Sequence, residues 1–383
     1  MDIYLVGGAV RDKQLGLPVK ERDWVVVGSS PQAMLELGYQ PVGKDFPVFL
    51  HPQTREEYAL ARTERKTGHG YTGFETCADP DISLEQDLLR RDLTINAMAE
   101  TPDGELIDPY NGLDDLNNGV LRHVSPAFAE DPVRILRTAR FAARLAPWGF
   151  HVAHGTNALM RSMVAEGEVA HLVPERVWAE LVKALQTDTP VRFFQVLAGC
   201  GALQVVFPEL ALTIHSATGA AHGNSISLPV LEHVISHSQD IAIRFAALVC
   251  DMDNGRSEGL DIEVLSNLCE RYRVPNACRD LARLALQQRS QLQQATGLSA
   301  EALLRVFNNT DALRRSERFD DLLIVCAADA MAHQHDCDQA YLLRALNAVQ
   351  AVNAASLQDS GLTGKDIGAA LQALRIEALQ RLE

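Results

Sequence analysis

The sequence predicts an α+β architecture, in which a head built on a small mixed sheet is followed by an all-helical neck, body and tail. Three observations lead there. Through about residue 120, short apolar runs alternate with turns, the spacing of a sheet-containing fold. From about Asp131 the apolar residues recur at helical spacing, in Ala- and Leu-rich segments that continue to Leu382. A chain of 383 residues is also long enough for about two to four structural units. This reading places the head at 1–125, a helical neck at 126–195, and a helical body and tail at 196–383.

Within the head, Ile3–Val6, Trp24–Val27, Pro47–Leu50, Tyr58–Ala61 and Glu105–Ile107 read as strands. The stretch from Lys66 to Gly73 holds three glycines in six residues. Little apolar periodicity follows it to about Leu84, so it reads as a mobile loop between sheet elements. Arg90-Arg91-Asp92-Leu93-Thr94-Ile95-Asn96-Ala97-Met98 reads as a charged cluster at the head of an apolar helix. In the helical part, breaks fall at Thr187–Pro190, at the Ser-, Gly- and Ala-rich His215–Pro229, and near Pro275. There is no internal repeat, coiled coil or low-complexity tract.

Composition narrows the class. An apolar fraction of 47% supports a real core, yet no apolar stretch approaches the roughly 20 residues that span a bilayer. The opening Ile3-Tyr4-Leu5-Val6 is strand-like and carries no leader pattern, which predicts a cytoplasmic protein without a signal peptide. Seven scattered cysteines with no CxxC pair argue against a disulfide framework or a thiolate zinc site, and read as core residues. The net charge of −15 sits awkwardly with nucleic-acid binding, because phosphate contacts need Lys and Arg. Distribution matters more than total. Arginines cluster at Arg134, Arg137, Arg140 and Arg144, and again at Arg271, Arg273, Arg279, Arg283 and Arg289. Each cluster is either one stripe of an RNA-binding surface or a solvated helix face.

Two short segments carry the chemistry. Leu5-Val6-Gly7-Gly8-Ala9-Val10-Arg11-Asp12 reads as a strand end, a Gly-Gly turn and a helix start bearing an arginine. Glu21-Arg22-Asp23-Trp24-Val25-Val26-Val27 reads as a strand whose leading edge presents carboxylates at i and i+2, on the same side. Either segment alone reads first as a generic turn or a solvated strand edge. Together, two hard oxygen ligands near a glycine turn that admits phosphate to backbone N–H groups make a magnesium–nucleotide site.

On these motifs the chain resembles bacterial CCA-adding enzymes, tRNA nucleotidyltransferases of the eukaryotic/bacterial class in the polymerase-beta-like superfamily. The likeness is strongest from Met1 to about Pro208. It implies Mg²⁺ as cofactor, held by Glu21 and Asp23, and triphosphate contacts from Gly8, Arg11, Arg91, Arg137 and Arg140. Family members usually carry Asp-x-Asp at the metal position; the extra methylene of Glu21 moves its carboxylate outward, which bears on rate because Mg²⁺ demands near-ideal octahedral geometry. A third carboxylate is expected near Glu57 or Glu64. Ile107 to Leu116 resembles the family's hinge motif, and Val173 to Glu180 its last motif, in which a Glu-Arg pair secures the neck; both are given structural roles.

Glu130-Asp131-Pro132-Val133-Arg134 resembles the family's base-selecting motif. On a helix Asp131 and Arg134 lie roughly 60° apart, with Arg137 continuing their face. By itself Asp131 before Pro132 also reads as an N-cap. Cytosine and adenine both offer an exocyclic amine beside a ring-nitrogen acceptor, which a carboxylate and a guanidinium complement. Guanine and uracil reverse that polarity and leave buried groups unpaired, which discriminates by orders of magnitude.

The resemblance therefore implies template-independent addition of C, C and A to the tRNA 3′ end from CTP and ATP, with pyrophosphate released. Alternatives are a partial CC- or A-adding enzyme, a poly(A) polymerase, a metal-dependent phosphohydrolase in the helical half, and a catalytically weak tRNA-binding module marked by Glu21. Some bacterial relatives carry a His-Asp phosphohydrolase domain behind the transferase. Around residues 230–330 this chain keeps a degenerate version of it: Cys250-Asp251 stands where His-Asp is expected, so phosphohydrolase activity is predicted absent. The i, i+4 pair His233 and His237 reads as incidental rather than metal-ligating.

Overall fold

The computed structural model describes residues 1–42, 48–66, 74–77, 79–211, 226–254, 260–352 and 365–382. It divides into two compact units, Met1–Pro208 and Glu209–Glu383. The segments read as head and neck share the first unit. Polar bonds between them help explain this: Arg134 and Arg137, on a neck helix, bond the Arg90 carbonyl and the Asp92 carboxylate of the head.

The head is a seven-stranded mixed sheet. Its strands are β1 (Asp2–Val6), β2 (Asp23–Val27), β3 (Gln40–Val42), β4 (Val48–Leu50) and β5 (Glu57–Leu60), with β8 (Ala99–Glu100) and β9 (Leu106–Ile107) after a separate hairpin of β6 (Thr63–Lys66) and β7 (Phe74–Cys77). The spatial order is β3-β4-β5-β2-β1-β8-β9. β2 and β5 run parallel, and the other neighbours run antiparallel.

The alternation of β2 explains how both faces are covered. Val25 and Val27 face a cluster containing Val6, Leu84, Leu88 and Ala99, while Trp24 and Val26 face Met34, Phe49, Tyr58 and Leu60. Trp24 stacks on Tyr58 with ring centroids 5.6 Å apart, and its indole N–H donates to Glu56 at 3.0 Å. Helix α1 (Gly8–Gln14) follows β1, and α2 (Pro31–Glu36) is capped by the Ser30 hydroxyl. Helix α3 (Leu84–Leu89) begins with a reciprocal Ser83–Gln86 capping box.

Two sequence expectations are corrected here. Arg90–Met98 is not the start of an apolar helix: α3 ends at Leu89, Thr94–Asn96 form a 3₁₀ turn, and the chain enters β8. Leu93, Ile95, Ala97, Met98 and Ala99 are all buried, so no polar face was left to display a period. The long loop is also shorter than expected, because Phe74–Cys77 pairs with Thr63–Lys66; residues 67–73 lie outside the described residues.

After α4 (Gly112–Asn117) come the helices α5 (Val133–Leu145), α6 (His154–Ala165), α7 (Pro174–Leu185), α8 (Val191–Cys200) and α9 (Ala202–Val206), with α5 packed against α7 and α8. The second unit is helical, from Pro229–Ile235 to Lys365–Gln380. Helices Ile241–Asn254, Asn276–Gln293 and Ser316–Ala332 pack on one another. Cys200, Cys250, Cys269, Cys278 and Cys326 are buried, in keeping with core roles, whereas Cys337 is half-buried and the Cys77 side chain lies outside the described residues. Among the described residues no helix is long and apolar enough to cross a membrane.

Candidate active site

The Gly-Gly turn is shaped by backbone need. Gly7 adopts φ 70°, and a Cβ there would lie 2.8 Å from the Arg91 guanidinium. Any other residue would meet both a left-handed strain penalty and that guanidinium. The turn thus lets Arg91 lie directly against the backbone at the start of α1. Arg91 is held there by the Asn96 carbonyl at 3.3 Å and by Asp87 at 3.2 Å.

The turn opens on a cavity of about 760 Å³. Gly8, Arg11, Glu21, Asp23, Arg91, Asp131, Arg134, Arg137 and Arg140 all line it, so the residues expected to hold metal, triphosphate and base converge there. Ten basic and five acidic side chains line this cavity in a chain of net charge −15, so the charge is strongly segregated.

One wall carries carboxylates. β2 begins at Asp23, so Glu21 precedes the strand instead of sharing its alternation; both nonetheless reach the cavity. Glu57 stands opposite Asp23 in the parallel β2–β5 register and lines the same space. It is the expected third carboxylate that has a described position; the Glu64 side chain lies outside the described residues. Asp23 is exposed to the cavity, with protein close to part of its carboxylate. The loss of water pushes its pKa up, Arg91 opposes the rise and Glu21 adds to it. Such an under-compensated pair of hard oxygens suits a divalent cation. Among the described residues no three His, Cys, Asp or Glu side chains are grouped closely enough to hold a metal ion together.

A continuous polar chain crosses the floor. Arg144 donates to Asp12 at 2.8 Å, and Arg11 grips the other Asp12 oxygen at 2.9 and 2.7 Å. Arg11 also donates to Asn96 at 2.6 Å; Asn96 donates to Asp92 at 3.1 Å; Arg137 reaches Asp92 at 2.7 Å. Arg11 is only 2% exposed, and burial lowers its pKa despite Asp12. Burial works to raise the Asp92 pKa, but the Arg137 charge, with hydrogen bonds from Asn96, Arg137 and the Leu93 N–H, holds it well below the usual carboxylate range.

Asp131 and Arg134 sit at the start of α5. Asp131 accepts from the Val133 N–H at 3.1 Å, the capping bond that the sequence also allowed. It is gripped at the same time by Arg176 of α7, at 3.2 and 2.7 Å. Arg134 is fixed by bonds to the carbonyls of Ala127 at 3.0 Å and Arg90 at 2.6 Å. Arg140 is paired with Glu180, one turn beyond Arg176.

Comparison with known proteins fits this geometry. A family profile described as "Poly A polymerase head domain" matches residues 3–122, and one described as "Probable RNA and SrmB- binding site of polymerase A" matches residues 149–213. The chain is 51% identical to the multifunctional CCA protein of Thioalkalivibrio sulfidiphilus, covering 100% of this chain and 99% of that one. It is 50% identical to the protein of the same name from Nitrosococcus oceani, covering 100% and 98%.

The chain belongs to the multifunctional CCA protein family. Solved structures share its fold. A CCA-adding enzyme in an apo form superposes with a TM-score of 0.69 at 23% identity, over 99% of this chain and 88% of that one. A tRNA-processing enzyme with CTP gives a TM-score of 0.64 at 23% identity, over 99% and 96%.

Seen as a family member, the chain has site residues that the sequence reading missed. Arg176 and Glu180 were given a purely structural role, yet they bond directly to Asp131 and Arg140. Their one-turn spacing on an amphipathic helix was the available signal. Arg62, Arg144 and Lys183 also line the cavity.

Proposed function

We propose that the chain adds C, C and A to the 3′ end of tRNA from CTP and ATP, without a nucleic-acid template and with release of pyrophosphate. The supporting observation is that one cavity holds both the Glu21–Asp23 pair and the Asp131–Arg134 pair. Gly8, Arg11, Arg91, Arg137 and Arg140 bind the triphosphate. Asp131 accepts from the amine of cytosine or adenine while Arg134 donates to the ring nitrogen. The 3′-hydroxyl of the RNA attacks the α-phosphate in line. Glu21 and Asp23 would hold Mg²⁺, which when bound supplies charge stabilisation at the phosphates and activation of the hydroxyl. The buried floor fixes the guanidiniums before substrate arrives, so little reorganisation is left for the reaction. The cytoplasm is the matching compartment.

The helical half is proposed to lack phosphohydrolase activity. Cys250 is buried, and burial pushes its thiol up to about 12, with Arg289 opposing. The two Asp251 oxygens accept from the Val230 and Leu231 N–H groups at 3.0 and 2.9 Å. Arg289 is joined to Asp253 and lies 3.7 Å from Asp329, so a guanidinium stands among these acids. His233 and His237 point their Nδ1 atoms at backbone carbonyls at 2.6 and 2.8 Å.

Truncated tRNA lacking its last three nucleotides, given CTP, ATP or both, tests the proposal. Three added nucleotides are expected only with both. A long A-tract would point to a poly(A) polymerase, C alone to a partial enzyme, and no addition to a binding module. The same preparation should release no phosphate from 2′,3′-cyclic or 2′-phosphorylated nucleotides with Ni²⁺, Mn²⁺ or Mg²⁺.

A further inference from the structure

Three of the arginines in the cavity share one aromatic ring. The Phe141 ring centroid lies 4.2 Å from the Arg140 guanidinium carbon, 5.0 Å from that of Arg11 and 5.8 Å from that of Arg137. Phe141 is on α5, lines the cavity and is only 5% exposed. Each guanidinium also has a carboxylate of its own: Asp12 for Arg11, Asp92 for Arg137 and Glu180 for Arg140.

Three like charges around a small volume repel, and their carboxylates sit on different elements, α1, the loop after α3, and α7. Carboxylates alone would draw the three cations apart towards those elements. A ring presents negative electrostatic potential over its faces and is chemically unable to neutralise a cation by taking a proton. It therefore attracts all three guanidiniums towards one point while leaving each charged and able to meet phosphate. An aliphatic side chain of similar size fills the space without that pull.

We propose that Phe141 is a positioning residue for triphosphate binding, acting through Arg11, Arg137 and Arg140 by gathering their guanidiniums around its ring. This rests on the nucleotide-transfer reading of the same cavity. It predicts that the ring governs affinity for the part common to CTP and ATP, and leaves the choice of base to Asp131 and Arg134.

The test compares Phe141→Leu, Phe141→Met and Phe141→Tyr in the full chain. Binding of inorganic tripolyphosphate, KM for CTP and for ATP, preference for CTP over UTP, and thermal midpoint are measured for each. Leu and Met should weaken tripolyphosphate binding and raise both KM values by a similar factor, roughly tenfold or more for lost cation–π contacts. Tyr, which keeps the ring, should stay near the parent, and the CTP-over-UTP preference should persist in all three. If Leu and Met bind tripolyphosphate as the parent does, whatever their thermal midpoint, the ring is core packing and the proposal falls. Equal loss in Tyr and Leu overturns it too. A parent protein that adds no nucleotide, yet binds tripolyphosphate in a ring-dependent way, would remove the transfer reading and keep the role of Phe141.

Discussion

Arg176 holds both oxygens of Asp131, at 3.2 Å to Oδ1 and 2.7 Å to Oδ2, while the Val133 N–H adds a third bond to Oδ1. A carboxylate offers about four acceptor positions, so one remains on Oδ2. That is what a base amine requires. Arg176 thus fixes the carboxylate plane and leaves one acceptor position, the one that the proposed Asp131 contact to the base would use beside Arg134.

Removing that contact should cost selectivity before affinity. Asp131→Ala is expected to relax preference for CTP over UTP roughly tenfold to hundredfold, the worth of about 1–3 kcal/mol for a buried polar pair. Steady-state competition between the two nucleotides measures it. Retained selectivity with a lowered thermal midpoint would leave Asp131 as a helix cap alone.

The carboxylate wall gives a second expectation. Asp23→Ala should abolish incorporation, whereas Glu21→Asp should retain or raise it by drawing that carboxylate back toward the strand. Single-turnover rates at saturating Mg²⁺ decide the point. An inactive Glu21→Asp beside a fast parent would mean that the site is built around glutamate.

Asp92 predicts a pH signature in stability. Its pKa is depressed in the folded chain, so its stabilisation is present above the unfolded carboxylate value and is lost as pH falls through the folded one. Asp92→Asn should therefore destabilise by roughly 1–3 kcal/mol at pH 7. The difference from the parent should shrink with acidification below about pH 4, the ordinary range of an aspartate carboxyl. Urea melts of both proteins across that range measure it, and a pH-independent difference would show that the Asp92 charge contributes nothing.

The second arginine cluster does not act as one surface. Arg271 is paired with Glu209 at 2.6 Å, and Arg289 is committed to Asp253 and Asp329. Among the described residues Arg279 has one ion pair, to its neighbour Asp280 at 3.6 Å, and Arg283 has none; both line a small groove of about 290 Å³. Replacing Arg279 and Arg283 by Ala together should flatten the salt dependence of tRNA binding by about one to two units of log–log slope. An unchanged slope would assign them to a solvated face.

Much of this was legible in the chain because local periods report local environment. Val25 and Val27 against Trp24 and Val26 display a two-sided strand, and Arg134, Arg137 and Arg140 fall on one helical face. The segment around β8 was misread because burial on every side removes the period. Partners remote in sequence were also hidden. Arg176 lies 45 residues from Asp131 and Glu180 lies 40 from Arg140, and no spacing rule joins residues that only packing of α5 on α7 brings together. Glu57 had a neighbourhood but no position until the β2–β5 register set it opposite Asp23.

In the proposed reaction, side chains of this cavity choose cytosine and then adenine with no nucleic-acid template. That choice is read out in the sequence of 3′ ends made on tRNA lacking its last three nucleotides, with CTP, ATP, UTP and GTP present together at equal concentration. The expected ends read C, C, A and then stop. Ends carrying U or G at the frequency of their supply, or an A-tract running past the third position, would contradict it.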